Sequence, residues 1–164
     1  MNVILLLIEL FICIIPTVQG KLKTAIITGA NSGIGFQAAK KLASSGEWNV
    51  IFACRSKEKA LKAIQSIPTD FQANTEFLEL DLADLSSVRN FAKQVGNRPI
   101  DCLALNAGIQ CAYTNVASRS KQGFESTIAT NHIGHFHLTN LLLANVKKSK
   151  EGRIVFVASG GRLI

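Results

Sequence analysis

Apolar runs of strand length alternate with longer amphipathic stretches from Lys21 onward. The apolar runs are nearly continuous, as in AII, VIFA, CLAL and IVFV. Such runs are typical of parallel strands that crossover helices bury on both faces. The pattern predicts strands at Thr24–Thr28, Asn49–Ala53, Glu76–Asp81, Asp101–Asn106 and Arg153–Ala158, and helices near Gly33–Ser44, Lys57–Ser66, Ser86–Val95 and Thr127–Val146. We therefore expect an α/β fold built on a doubly wound parallel sheet.

The first twenty residues, MNVILLLIELFICIIPTVQG, form an apolar segment that we separate from the domain predicted for residues 21–164. Its run from Val3 to Ile15 is short for a bilayer span but has the length of a signal-peptide core, although no Lys or Arg precedes it. We interpret the segment as a signal peptide or membrane anchor, with a core helix as the alternative. It favours the secretory route or the endoplasmic reticulum membrane, and a plastid location is left open.

The net charge of +7 raises the question of nucleic-acid binding. The basic residues are spread over several predicted helices, with small clusters at Lys57–Lys62 and Lys147–Lys150. This distribution favours a solvated surface over a nucleic-acid interface, and the charge would still attract an anionic cofactor. We expect no nucleic-acid partner.

Cysteine and histidine spacing gives no sign of a metal site. The four cysteines, Cys13, Cys54, Cys102 and Cys111, contain no CxxC pair. His132 and His135 would share a helical face, but His137 would point elsewhere and no acidic cluster completes a tetrahedral set. No metal is predicted.

A glycine-rich turn, TGANSGIG, follows the first predicted strand and opens the first helix. Glycines at such a turn allow tight bending and close approach of the backbone to a pyrophosphate, while the helix N-terminus offers free N–H groups. The turn predicts a dinucleotide site, with an ordinary glycine turn as the alternative. The cofactor-binding residues expected here are Gly29, Asn31, Ser32, Gly33, Ile34 and Gly35.

Arg55 stands at the end of the second strand, where an NAD-binding protein of this fold often carries an acidic residue. A guanidinium can form a forked pair with the 2′-phosphate of NADP. Arg55 therefore favours NADP over NAD, and a surface arginine without this role is the alternative.

Taken in order, these motifs resemble the short-chain dehydrogenase/reductase family, and the resemblance covers nearly everything from Lys21 to Ile164. It is carried by TGANSGIG, by DL at Asp81-Leu82, by NAG at Asn106–Gly108, by Asn131 in ATNHIGHFHLT and by the strand ending in Ser159. Within the family the chain looks most like the retinol dehydrogenase and protochlorophyllide reductase-like groups. The resemblance implies an NAD(P)-binding Rossmann fold.

The resemblance also implies roles for single residues. Asp81 and Leu82 would meet the adenine, while Asn106, Ala107 and Gly108 would form a wall near the adenosine ribose. Asn131 would support a proton-relay water, and the Ser159 hydroxyl would hold the substrate carbonyl. A structural NAG turn and a solvated or locally bonded Asn131 are the alternatives.

In this family the general acid is a tyrosine with a lysine four residues on, both after the serine. The sequence has one tyrosine, Tyr113, with Ala117 four positions later, and only five residues follow Ser159. We interpret the chain as a fragment of a longer reductase, incomplete after the fifth strand, whose edge would be apolar and prone to pairing with another chain.

The expected function is an NADP-dependent oxidoreductase that transfers a hydride between nicotinamide and a carbonyl or alcohol substrate of apolar character. The alternative is a non-catalytic dinucleotide-binding or interaction fragment. The expected partners are that small molecule, a membrane contacted through the N-terminus, and a second copy of the chain in a homo-oligomer.

Overall fold

A computed structural model describes residues 21–110 and 118–158. Its five strands form one parallel sheet in the order β3-β2-β1-β4-β5. This order places β1 at the centre and confirms the doubly wound sheet. The strands are β1 (Lys23–Thr28), β2 (Trp48–Cys54), β3 (Thr75–Glu79), β4 (Cys102–Leu105) and β5 (Arg153–Phe156).

Helices connect the strands. They are α1 (Gly33–Ala43), α2 (Lys57–Gln65), α3 (Thr69–Gln72), α4 (Leu85–Val95), α5 (Ser126–Ile128) and α6 (Gly134–Lys147), with a π-helical segment over Ala129–Ile133. The four predicted helices are confirmed, but the last one was predicted as continuous and contains the π segment. The single turn of α3 was not predicted, because four residues are too few to show a helical period.

The sheet separates two apolar layers, because adjacent strand residues point to opposite faces. Ile26 belongs to the layer formed with α4 and α6, which includes Phe91 and Leu142. Ile27 belongs to the layer formed with α1 and α2, which includes Ala39 and Ala60. Burial on both sides explains why the strand sequences lack polar alternation.

Three strands end earlier than predicted, and for β4 the difference is one residue, since it ends at Leu105. β3 stops at Glu79, although the Leu80 amide still donates to the carbonyl of Cys54 at 3.0 Å. Asp81 then turns the chain toward α4 by accepting a hydrogen bond from the Ala83 amide at 2.9 Å. β5 stops at Phe156 and pairs only with β4 within the described residues. The side chain of Phe156 is 68% exposed, so this edge of the sheet is apolar, as predicted.

Some of the basic residues gather at one edge of the sheet. Five of them lie together around the amino-terminal ends of the strands, a grouping that goes beyond the cluster at Lys147–Lys150 noted in the sequence. The sequence pattern did not show this grouping because parallel strands bring residues from distant parts of the chain to one edge. These are Lys21, Lys23, Lys148, Lys150 and Arg153.

No helix within the described residues is long and apolar enough to cross a membrane. The signal or anchor predicted for residues 1–20, the segment 111–117 with Tyr113 and Ala117, and the predicted catalytic Ser159 all lie outside the described residues.

Candidate functional site

A groove of about 540 Å³ opens at the carboxyl ends of the strands. In doubly wound sheets, ligands bind at this edge, where the strand order reverses. The reversal falls between β1 and β4 here. The predicted site residues that line the groove are Gly29, Asn31, Ser32, Gly33, Ile34, Arg55, Asp81, Leu82, Asn106, Ala107 and Gly108. Gly35 and Asn131 do not line it.

Gly29 and Gly35 shape the turn in different ways. Gly29 has a φ of +68°, and a Cβ built there would lie 3.0 Å from the Cα of Ala107. Gly35 does not line the groove. A Cβ built on Gly35 would overlap the side-chain nitrogen Nδ2 of Asn106 and lie 2.7 Å from the carbonyl oxygen of Gly29. Gly35 therefore allows α1 to pack closely against the turn, whereas Gly29 supplies the backbone conformation.

The N-terminus of α1 lies at the groove, which Ser32, Gly33 and Ile34 line. Ser32 is the N-cap residue, and its side chain makes no capping hydrogen bond. The first turn of this eleven-residue helix carries no acidic residue. An uncapped helix N-terminus combines unpaired N–H groups with the positive end of the helix dipole, so it favours an anion.

Arg55 and Asp81 place opposite charges on the same groove. Arg55 is exposed and follows β2 directly. Within the described part of the chain it has no ion-pair partner. Asp81 is partly buried, and the bond from the Ala83 amide fixes one of its carboxylate oxygens. A guanidinium without a protein partner can bind a phosphate in the groove.

Thr28 connects the turn after β1 to the turn after β4. Its fully buried hydroxyl oxygen accepts hydrogen bonds from the amides of Asn106 and Ala107, both at 2.9 Å. The side-chain amide of Asn106 donates to the carbonyl of Thr28 at 2.9 Å. Three hydrogen bonds to Thr28 therefore fix the turn after β1 to the turn after β4.

His135 extends this network into α6. Its Nδ1 lies 3.1 Å from the carbonyl oxygen of Asn131, which can only accept, so Nδ1 carries the proton. In the neutral ring Nε2 then accepts from the Thr28 hydroxyl at 2.9 Å. Burial lowers the pKa of His135, which favours this neutral form, while the bond to the Asn131 carbonyl opposes the shift.

Asn131 lies in the π-helical segment and uses its whole side-chain amide on one neighbour. Its Oδ1 accepts from the amide of Ile109 and its Nδ2 donates to the carbonyl of Ile109, both at 2.8 Å. The side chain is therefore bonded to a residue 22 positions away and not to the backbone of its own helical turn. The paired bonds hold the segment that follows Gly108 against the start of α6.

Sequence reasoning did not assign Thr28, His135 and Cys54 to the site. The polar end of an otherwise apolar strand was an available signal for Thr28, and the four-residue spacing from Asn131 was one for His135. Cys54 lines the groove as well. Burial raises the pKa of its thiol to about 11.

No three His, Cys, Asp or Glu side chains of the described ranges are grouped so as to hold a metal ion.

Residues 23–163 match the short chain dehydrogenase family. Among curated relatives, a chloroplastic protochlorophyllide reductase of Chlamydomonas reinhardtii is 42% identical over 149 residues, which are 88% of this chain and 37% of the relative. A WW domain-containing oxidoreductase of Gallus gallus is 42% identical over 140 residues, which are 84% of this chain and 33% of the relative. The chain thus spans about a third of the length of these relatives.

Solved structures show the same architecture. A protein from Escherichia coli CFT073, described as a short chain dehydrogenase complexed with NADPH, superimposes with a TM-score of 0.72 at 27% identity. The superposition covers 88% of this chain and 64% of the E. coli chain. A menthone neomenthol reductase from Mentha piperita superimposes with a TM-score of 0.70 at 25% identity. This superposition covers 85% of this chain and 61% of the reductase.

Proposed function

The chain belongs to the short-chain dehydrogenase family, and we propose that it forms the NADP-binding part of an oxidoreductase. In the proposed reaction a hydride passes between the nicotinamide and a carbonyl or alcohol substrate of apolar character. The observation that carries the proposal is the groove at the carboxyl edge of the sheet, where an uncapped helix N-terminus lies together with Arg55, which has no ion-pair partner among the residues that the structure describes. Bound NADPH would supply the hydride.

The glycine turn suits the pyrophosphate of the cofactor. Ser32, Gly33 and Ile34 form the start of α1 and line the groove, and the Ser32 side chain leaves the first amides of the helix uncapped. Gly33 has a φ of +55°, and a Cβ there would meet no atom within 4 Å, so its backbone faces open space. These amides would bind the phosphate oxygens.

The opposite walls suit the adenosine half of the cofactor. Asp81 and Leu82 lie at one side of the groove and are proposed to contact the adenine. Asn106, Ala107 and Gly108 lie at the other side, where small residues allow the ribose to approach the backbone. The hydrogen bonds to Thr28 hold this second wall in place before any ligand binds.

Arg55 is proposed to select NADP. Its guanidinium would bind the 2′-phosphate, which NAD lacks. The similar E. coli structure is complexed with NADPH, which supports NADP as the cofactor of the proposal by similarity. Ser159 remains the proposed substrate-holding hydroxyl and Asn131 the proposed relay residue, acting through its backbone position since its side-chain amide is occupied by Ile109.

The test is a titration of the full chain with NADPH and with NADH, followed by cofactor fluorescence. Arg55→Ala should weaken NADPH binding by about 10- to 100-fold and leave NADH binding within about twofold, because a lost charge-assisted hydrogen bond costs about 1.5–3 kcal/mol. Lys57→Ala removes an exposed cation two positions later that does not line the groove, and it should change neither affinity. Equal losses for both cofactors would refute the selection of NADP.

A second candidate function is dinucleotide binding without turnover. Its sequence basis is limited to Tyr113, which lacks a lysine four positions on, so Tyr113 and Ala117 do not form the tyrosine–lysine pair. The distinguishing measurement is NADPH oxidation by the full chain in the presence of an aromatic or polyene aldehyde. Tight cofactor binding with no oxidation above the protein-free rate would support this second candidate.

The cellular location is a separate proposal. The plant and algal relatives are chloroplastic proteins by name. We therefore propose a plastid location as well as the secretory route inferred from residues 1–20. A fluorescent fusion to the C-terminus of the full chain, imaged with plastid and endoplasmic reticulum markers, decides between them.

A further inference from the structure

A second cavity, of about 630 Å³, lies at the opposite edge of the sheet from the groove. It is formed where β1, β4 and β5 begin and where the chain leaves α6. The cofactor groove lies at the carboxyl ends of the same strands. A ligand at the amino-terminal edge would therefore leave the groove open.

The charge at this edge is strongly unbalanced. We name as the basic rim the five cations that line the cavity, which are Lys21, Lys23, Lys148, Lys150 and Arg153. All five are exposed, and none forms an ion pair with another described residue. The positive charge of the basic rim is therefore not taken up in ion pairs with the described residues.

Two acidic residues, Asp101 and Glu151, also line the cavity and offset part of this charge. The carboxylate of Asp101 accepts from the Thr24 amide at 2.7 Å and from the Ser149 hydroxyl at 2.5 Å, so its position is fixed and it remains negatively charged. Glu151 is exposed. The cavity is therefore lined by five cations and two carboxylates, and its balance of charge is positive.

Apolar side chains lie between these cations. Leu22 and Trp48 are partly exposed, and Val155 is 44% exposed. The ammonium group of Lys23 lies 5.6 Å from the centre of the Trp48 ring, so a cation and an aromatic surface are presented together. Cations interleaved with aromatic and aliphatic groups suit the interface of a lipid bilayer, where headgroups meet acyl chains.

The sequence before Lys21 leads to the same surface. Residues 3–15 are apolar apart from Glu9, and five residues separate them from Lys21 at the basic rim. Any membrane contact of this segment would bring the amino-terminal edge of the sheet close to the headgroups. We propose that the basic rim docks on an anionic phospholipid membrane surface, with the cofactor groove facing away from the bilayer.

The experiment is flotation of the full chain with phosphatidylcholine vesicles, prepared with and without phosphatidylglycerol. The wild-type chain should float more strongly with the anionic vesicles, and added salt should reduce the difference. The triple variant Lys148→Glu, Lys150→Glu and Arg153→Glu should lose at least about tenfold of its binding to anionic vesicles, because each cation near such a surface contributes roughly 1 kcal/mol.

A matched control separates the position of the charge from its amount. Lys57→Glu, Lys59→Glu and Lys62→Glu change the net charge equally on α2, outside the basic rim, and should keep most of the binding. A Gln version of the rim variant, which should show a smaller loss, serves if the Glu version does not fold. Far-ultraviolet circular dichroism of every variant checks folding.

Three results would overturn the proposal. They are equal flotation with neutral and anionic vesicles, equal losses in the rim and control variants, and loss of binding to a fluorescent RNA oligonucleotide in the rim variant while vesicle binding is kept. NADPH affinity is measured in the same samples. Because the groove and the basic rim lie at opposite edges, either proposal can fail while the other stands.

Discussion

The imidazole Nε2 of His135 lies 2.9 Å from the hydroxyl of Thr28, and this contact joins the end of the central strand to the start of α6. The same hydroxyl accepts hydrogen bonds from two amides of the NAG turn. The same imidazole donates to the Asn131 carbonyl. One buried pair therefore connects the glycine turn, the NAG turn and the π-helical segment.

Thr28→Val tests the hydroxyl at the centre of this network. The change keeps the shape of the side chain but leaves the buried amides of Asn106 and Ala107 without an acceptor, so it should lower the free energy of unfolding by about 1–3 kcal/mol. NADPH affinity should also fall, because one wall of the groove loses its attachment. Chemical denaturation and cofactor titration measure the two effects.

Thr139→Val is the matched control, because the Thr139 hydroxyl is buried with no hydrogen-bond partner among the described residues. Its removal should leave stability unchanged within about 0.5 kcal/mol or increase it. Similar destabilisation by the two variants would show that the Thr28 hydrogen bonds contribute little.

His135 should make the free energy of unfolding depend on pH near neutrality, where the carboxylates are already ionised. Its pKa in the folded chain is lowered, so below about pH 6.5 the unfolded state binds more protons and folding is weakened. The wild-type free energy of unfolding should therefore fall between about pH 7.5 and pH 5.5. His135→Gln should flatten this part of the profile, whereas an unchanged slope in the variant would assign the effect to another group.

Asn131→Asp tests the amide pair that holds Ile109. An aspartate can still accept from the Ile109 amide but cannot donate to its carbonyl, so we expect a loss of about 1–2 kcal/mol and weaker NADPH binding. Asn140→Asp removes a comparable bond to the Phe136 carbonyl, away from the groove, and should leave NADPH binding unchanged. An equal decrease of NADPH affinity in both variants would show that the Asn131 side chain has no specific effect on the cofactor site.

Cys54 should react slowly with alkylating reagents at neutral pH. Its thiol has a pKa of about 11 because burial disfavours the thiolate, which is the nucleophile. Iodoacetamide labelling of the folded chain, followed by mass spectrometry of the Cys54 peptide, should rise with pH and become rapid in denaturant. Fast labelling at neutral pH in the folded chain would contradict the burial of this thiol in the groove.

The apolar pattern predicted the sheet well because burial on both faces leaves a clear signal in residues such as Ile26 and Phe52. The groove could also be predicted, since glycine spacing and the NAG motif mark the ends of β1 and β4. The Thr28–His135 contact could not, because it joins positions 107 apart and depends on how α6 packs. The basic rim was missed for the same reason, since it collects residues from both ends of the domain.

The pairing of distant positions has a consequence for the order in which the chain acquires structure. During synthesis β1 and the glycine turn leave the ribosome long before residues 106, 107 and 135, whose groups complete the bonding of Thr28. Contacts of such sequence separation form late, because the intervening loop must be closed first. A nascent chain that ends before residue 106 thus carries the glycine turn without the second wall of the groove, and a ligand of this groove can stabilise the protein only after the NAG turn has emerged.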